Sequence, residues 1–138
     1  MQVCELCERD GGEIIFRHAR FRVVRVEGAE AFAYPGFCRV IWNAHVKEMS
    51  DLSLAERSEL MAAVFRTETL LRKFLVIDKI NLASLGNITP HLHWHVIPRR
   101  LNDASFPQPI WAVTSPRAYD VISSAWVAEL KKAFQEPA

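Results

Sequence analysis

Residues 89 to 100 read TPHLHWHVIPRR, and within them His91, His93 and His95 alternate with Leu92, Trp94 and Val96. Alternation has period two, so in an extended strand the three imidazoles line one face and the three apolar side chains the other. On a helix they would be spread around the axis and could not converge. Three chemistries use such a row. A metal ion held by three imidazoles is the first, although same-face neighbours stand roughly 6.5–7 Å apart and a third reaches a shared ion less easily. Covalent catalysis is the second. A central imidazole with an unperturbed pKa of about 6.5 is largely deprotonated at neutral pH and can attack phosphorus, while its neighbours handle charge and protons. The third is a buried strand with structural histidines, which suits one histidine better than three in register.

A second constellation lies at the start of the chain. Cys4 and Cys7, in CELC, have the spacing of a zinc knuckle. A closed tetrahedral site needs two further ligands, for which His45 and His91 are available. Cys38 is left over and reads as core.

These residues need elements to position them. EIIFRH and RFRVVRVE read as a strand hairpin, GAEAFAYPG as a loop, and FCRVIWNA as a third strand with His45 just after it. SLAE at 53–56 is a capping box, Ser53 the N-cap and Glu56 at N3, which opens a helix reaching about Leu75. Leu60, Ala63, Val64, Thr67, Leu71 and Phe74 fall on its core side. KINLASLG forms a fourth strand, GNITP a turn, and the histidine row a fifth strand ended by Pro98, in a meander interrupted by the helix. Ser115 and Pro116 are placed to start a last helix that ends near Phe134. The class is α+β.

A chain of 138 residues, 50% hydrophobic, fits one domain over 1–138. Seventeen basic against sixteen acidic side chains lack the excess of a nucleic-acid binder. No apolar run is long enough for a membrane span, and MQVCELCERD has no signal-peptide core. With three cysteines, too few for a secreted disulfide framework, a cytoplasmic protein with reduced thiols is expected.

LGNITPHLHWHVIPR resembles the signature of the histidine triad (HIT) superfamily, His-φ-His-φ-His-φ-φ with φ apolar. CELCERDGGEI, YPGFCRVIWNAHVKEMSDLS and FPQPIW resemble a bacterial HIT-like subfamily, so the likeness covers most of the chain. The resemblance implies an antiparallel five-stranded half-barrel sheet with one long helix and a C-terminal helix, usually as a homodimer. It also implies an enzyme, a nucleotide hydrolase or nucleotidyl transferase. Its reaction is at the α-phosphate of a nucleoside phosphoramidate, a dinucleoside polyphosphate or a similar compound; a nucleotide-binding module with little turnover is the alternative.

By the same resemblance His93 is the nucleophile and His95 contacts the phosphate. Asn87, preceded by Gly86, stands where many relatives carry a glutamine that meets the phosphate or leaving group, and Thr89 is a further candidate donor. Phe37 stands where many carry a histidine supporting the nucleophile, and Glu27 and Glu30 approximate the acid that holds the ribose. Ile15, Phe16 and Val24 are candidates for a base pocket, Arg99 and Arg100 for a phosphate-attracting or solvated rim. Zinc-containing relatives resemble this chain in pairing two cysteines with counterparts of His45 and His91, which implies structural zinc and leaves His93 free to attack.

Overall fold

A computed structural model describes residues 3–112 and 117–137. Five strands form one open antiparallel sheet: β1 (Glu13–Arg17), β2 (Phe21–Arg25), β3 (Cys38–Trp42), β4 (Lys79–Ala83) and β5 (His93–Arg99). Among the described residues four helices accompany it: α1 (Glu5–Glu8), α2 (Ala29–Ala33), α3 (Leu54–Phe74) and α4 (Trp126–Gln135), with a 3₁₀ turn at Met49–Asp51. No helix among the described residues is long and apolar enough to cross a membrane.

The strand order is β1-β2-β3-β5-β4, not the sequential order of a meander. Between β3 and β4 the chain runs through α3, about 31 Å long at 1.5 Å per residue. That crossover is long enough to lay β4 at the edge and leave the neighbouring place for β5. The histidine strand is therefore paired on both sides, with Ile41 opposite His93 and Arg39 opposite His95 on β3, and Ala83 opposite His95 on β4. Pro98 does not end β5. Pairing with β3 stops at Val96, so at Pro98 only β4 remains alongside, and a missing donor is tolerated there as on an edge strand.

The α3 cap forms as the SLAE pattern requires: Glu56 N–H donates to Ser53 Oγ at 3.2 Å and Ser53 N–H to Glu56 Oε1 at 2.9 Å. Leu60, Ala63, Val64, Thr67 and Leu71 are buried along its inner stripe, with Phe74 half-buried. Together with Trp126, Val127, Leu130 and Phe134 of α4 they pack on the sheet face formed by Val23, Val40, Trp42 and Val96. Truncating a fully buried leucine such as Leu60 to alanine would remove about 2–5 kcal/mol.

Helix α4 starts later than the sequence suggests. Ser115 and Pro116 lie outside the described residues, and 117–125 have no regular structure. This segment is occupied otherwise: Arg117 N–H donates to the Ala104 carbonyl, and Tyr119 packs on a cluster of Val26, Tyr34, Phe37 and Ile97. GAEAFAYPG likewise contains the short helix α2 instead of being all loop. The Pro-Gly turn after it needs glycine: Gly36 has φ +91°, and a Cβ there would lie 2.5 Å from Leu75 Cδ1.

Candidate active site and metal centre

The second face of the sheet carries His93 and His95. Val24, Arg39, Ile41, His93, His95 and Ile97 share it by register. Helix α1 covers one part through Leu6, packed on Val24 and Ile41, and the Phe37 cluster covers another. Ile15 belongs instead to the core beneath the helices, with Phe16 packed against it, so of the three base-pocket candidates only Val24 is on the histidine side.

His93 opens β5 and is 7% exposed. Its Nδ1 lies 2.6 Å from the His91 carbonyl oxygen. A carbonyl only accepts, so Nδ1 carries the proton and Nε2 keeps its lone pair. Ser84 Oγ donates to the His93 carbonyl at 2.7 Å and so helps hold the backbone of His93. Burial lowers the His93 pKa; the His91 carbonyl opposes this and the Arg39 charge adds to it. A neutral imidazole results.

His95 follows on the same face, its ring centroid 4.8 Å from that of His93. Phe37 at 5.7 Å and Trp111 at 4.8 Å enclose it edge-on, and its Nδ1 is buried without a hydrogen-bond partner. Burial, then His93 and Arg39, push its pKa down to about 3, which keeps it neutral near pH 7.

Two clefts meet at His93. One, of about 510 Å³, has the α1 segment on one side, Glu27 and Glu30 on another, and Arg39 and Thr89 beside His93. The other, of about 390 Å³, has Lys47, Ser50, Ser84 and Gly86 on its walls. Both fall within the usual range of small-ligand sites. Gly86, with φ +71°, and Thr89 are thus brought to the two sides of His93, while Asn87 is exposed in the turn between them and lines neither cleft.

Arg99 is not on a rim. It is 1% exposed and donates from Nε and Nη2 to Asp103 at 2.7 and 3.1 Å, with Asn81 at 3.0 Å. Asp103 also accepts the backbone N–H groups of Arg100, Ser105 and Phe106, so this pair knots the chain after β5 and offers nothing to a phosphate. Sequence reading passed over two other arginines. Arg22 donates to the carbonyls of Leu6, Arg9 and Asp10 and clamps the N-terminal segment to the sheet. Arg39 stands on the histidine face itself. Its signal was present in the same period-two rule, since Arg39 alternates with Cys38 and Val40 in FCRVIW and so shares a face with Phe37 and Ile41.

Cys4, Cys7, His45 and His91 converge, their ligand atoms all within 4.8 Å of one another. His45 Nδ1 and His91 Nδ1 are 3.3 Å apart, and three sulfur-to-Nδ1 distances are 3.4, 3.4 and 3.5 Å. With Zn–N of 2.0–2.1 Å and Zn–S of about 2.3 Å, a tetrahedron has edges of about 3.3 Å between nitrogens and about 3.6 Å between nitrogen and sulfur. The four residues therefore fit a tetrahedral ion of that size. His91 Nε2 donates to the Trp42 carbonyl at 2.6 Å, which turns the Nδ1 lone pair toward the sulfurs, the outer-shell device common to histidine ligands. The one-turn helix α1 supplies the cysteine spacing, and no cysteine is in a disulfide.

Residues 14–102 match the model of the HIT domain family. The chain belongs to the histidine triad family. A histidine triad protein from Bradyrhizobium japonicum has a similar structure, with 27% identity, a TM-score of 0.73, and 97% of this chain and 95% of that one covered. One from Sinorhizobium meliloti gives 24%, 0.69, 96% and 90% for the same quantities, and one from Marinobacter aquaeolei 21%, 0.72, 97% and 93%. No curated protein matches by sequence. HIT membership supports nucleotide binding or nucleotide hydrolysis as the general activity, and the site described above is where this HIT protein would carry it.

Proposed function

We propose that this HIT protein hydrolyses or transfers a nucleotidyl group at the α-phosphate of a nucleoside phosphoramidate, a dinucleoside polyphosphate or a related adenylylated compound. One observation carries the reading. His93 is held by its Nδ1–H on the His91 carbonyl at the junction of two clefts, which leaves Nε2 as the free nucleophile between them. The first cleft suits the nucleoside, with Glu27 and Glu30 available for ribose hydroxyls, and the second suits the leaving group.

In the first step the Nε2 lone pair forms a bond to phosphorus as the bond from phosphorus to the leaving group breaks. The leaving group takes that electron pair and a proton from solvent. In the second step water oxygen bonds to phosphorus, the N–P bond breaks and returns the pair to Nε2, and the water proton goes to solvent. Throughout, the Nδ1–H bond to the His91 carbonyl keeps the ring in one tautomer and stabilises the charge it gains.

Cys4, Cys7, His45 and His91 would hold zinc as a structural ion, since four protein ligands leave no open position for water. Reduced thiols at that site go with a reducing compartment, the cytoplasm. Association is read from the family likeness as a homodimer, which sedimentation at tens of micromolar tests directly. His93→Ala should lower turnover at least about a thousandfold while leaving nucleotide binding largely intact. Activity above about a tenth of wild type would exclude His93 as the nucleophile.

Phe37 supports a second reading, a nucleotide-binding module with little turnover. It is 1% exposed against the His95 ring and can donate no hydrogen bond to it. Turnover by wild-type protein on any nucleotide ester or amide rules that reading out.

A further inference from the structure

Two buried polar atoms among the described residues lack a hydrogen-bond partner, Arg39 Nε and His95 Nδ1. They belong to residues directly opposite each other on β3 and β5. Buried polar groups are nearly always paired, so two orphans on one register row beside a candidate nucleophile call for an explanation. Arg39 makes a single side-chain hydrogen bond among the described residues, from Nη1 to the Gly11 carbonyl at 3.3 Å. Its guanidinium also sits over the Phe37 ring, 5.7 Å from the centroid. Four of its five N–H groups are thus uncommitted, on a side chain that lines the same cleft as His93.

We propose that Arg39 is the phosphate-binding residue of this site, its guanidinium donating to the non-bridging oxygens of the phosphoryl group that His93 attacks. The proposal rests on the nucleotidyl-transfer reading above and deepens it by naming what holds the anion. His95, buried on the same face, stays neutral across the physiological range and brings no positive charge to the phosphate. The arginine of the histidine strand itself, Arg99, is consumed by Asp103. Arg9 lines the same cleft only at its exposed edge, on the α1 side. Lys47 lines the second cleft, on the leaving-group side, so Arg39 is the cation of the first cleft that stands on the histidine face. A planar fork with free donors suits two oxygens of one phosphoryl group. It also supplies a donor on the side of His95 where Phe37 supplies none.

The test compares binding of AMP and adenosine, and of GMP and guanosine, to zinc-loaded wild type, Arg39→Gln and Arg39→Lys by calorimetry, with circular dichroism to verify folding. Arg39→Gln should weaken AMP and GMP at least about thirtyfold while changing adenosine and guanosine less than about threefold. Arg39→Lys, which keeps the charge but loses the fork, should fall between. Equal weakening of nucleotide and nucleoside would show that Arg39 shapes the cleft wall or meets the base, and would overturn the proposal. Unchanged AMP binding overturns it as well. Wild type that binds AMP no better than adenosine would overturn the phosphate site altogether, whereas wild type that binds AMP through Arg39 without turning over any substrate would leave Arg39 standing and refute only the catalytic reading.

Discussion

Replacing Cys4 and Cys7 together by serine should free the N-terminal segment without unfolding the sheet. Ordering residues 4–12 takes roughly 9–18 kcal/mol of backbone entropy at about 1–2 kcal/mol per residue. Two protein interactions do most to oppose that, with smaller additions from Arg39 on the Gly11 carbonyl and the exposed Arg17–Asp10 pair. Burial of Leu6, 7% exposed against Val24 and Ile41, contributes about 1.5–3 kcal/mol. The Arg22 bonds to the carbonyls of Leu6, Arg9 and Asp10, at 2.6, 3.1 and 2.9 Å, contribute about 1.5–3 kcal/mol each because the donor is charged. Roughly 6–12 kcal/mol against roughly 9–18 leaves, at the middle of both ranges, a few kcal/mol to be supplied by metal ligation, well within the ~10–16 kcal/mol of structural zinc sites. Without the metal the docked population should drop below about one in a hundred, since 1.4 kcal/mol is a factor of ten. Hydrogen exchange at residues 4–12 should then approach free-chain rates while amides of β2, β3 and β5 keep their protection. Because Glu5, Leu6, Arg9, Asp10, Gly11 and Gly12 form one wall of the larger cleft, nucleotide affinity should fall with it. A metal-free double variant whose residues 4–12 stay protected would show that Leu6 and Arg22 suffice and that the metal is not what holds this segment.

Asp103→Ala strands Arg99, 1% exposed, without its carboxylate and should remove about 3–5 kcal/mol, a Tm drop of roughly 10–20 °C by calorimetry. Turnover per folded molecule should be kept, and its loss at unchanged Tm would restore Arg99 to the site. The His95 pKa lies at about 3 in the folded protein against 6.5 for the free side chain. Below pH 6.5 the unfolded chain thus takes up a proton that the folded one refuses. Stability from this group is complete above pH 6.5 and declines by about 1.4 kcal/mol per unit as the pH falls toward 3. His95→Gln should flatten that slope in denaturant titrations at pH 4–7, and an unaltered slope would place the acid sensitivity elsewhere.

Features set by short spacings were the legible ones. The alternation of His93 and His95, the Ser53–Glu56 box and the core stripe of α3 each depend on a few neighbouring residues and stand in the structure, whereas His91 falls just before β5 and turns to the cysteines. The CELC pair needed two partners from distant segments, and the structure brings His45 and His91 to it. What was hidden depends on long-range pairing. The exchange of β4 and β5 follows from the α3 crossover, which no local pattern reports. Arg99 looked like a surface arginine because Asp103, Asn81 and Ser105 enclose it only after the chain has folded back. Arg39 and Arg22 were overlooked for a related reason: an arginine in a strand is read as solvent-facing until the sheet has both faces covered.

Covalent nucleotidylation of His93 is the central claim, and trapping it is the most direct measurement. Protein mixed with an adenosine 5′-phosphoramidate or diadenosine tetraphosphate, quenched within the first turnover under conditions that preserve N–P bonds, should gain the mass of one adenylyl group. Peptide mapping should place that group on His93 and find it absent from His93→Ala. An adduct on His91 or His95 would contradict the account, as would rapid turnover by wild type that passes through no adduct at any quench time.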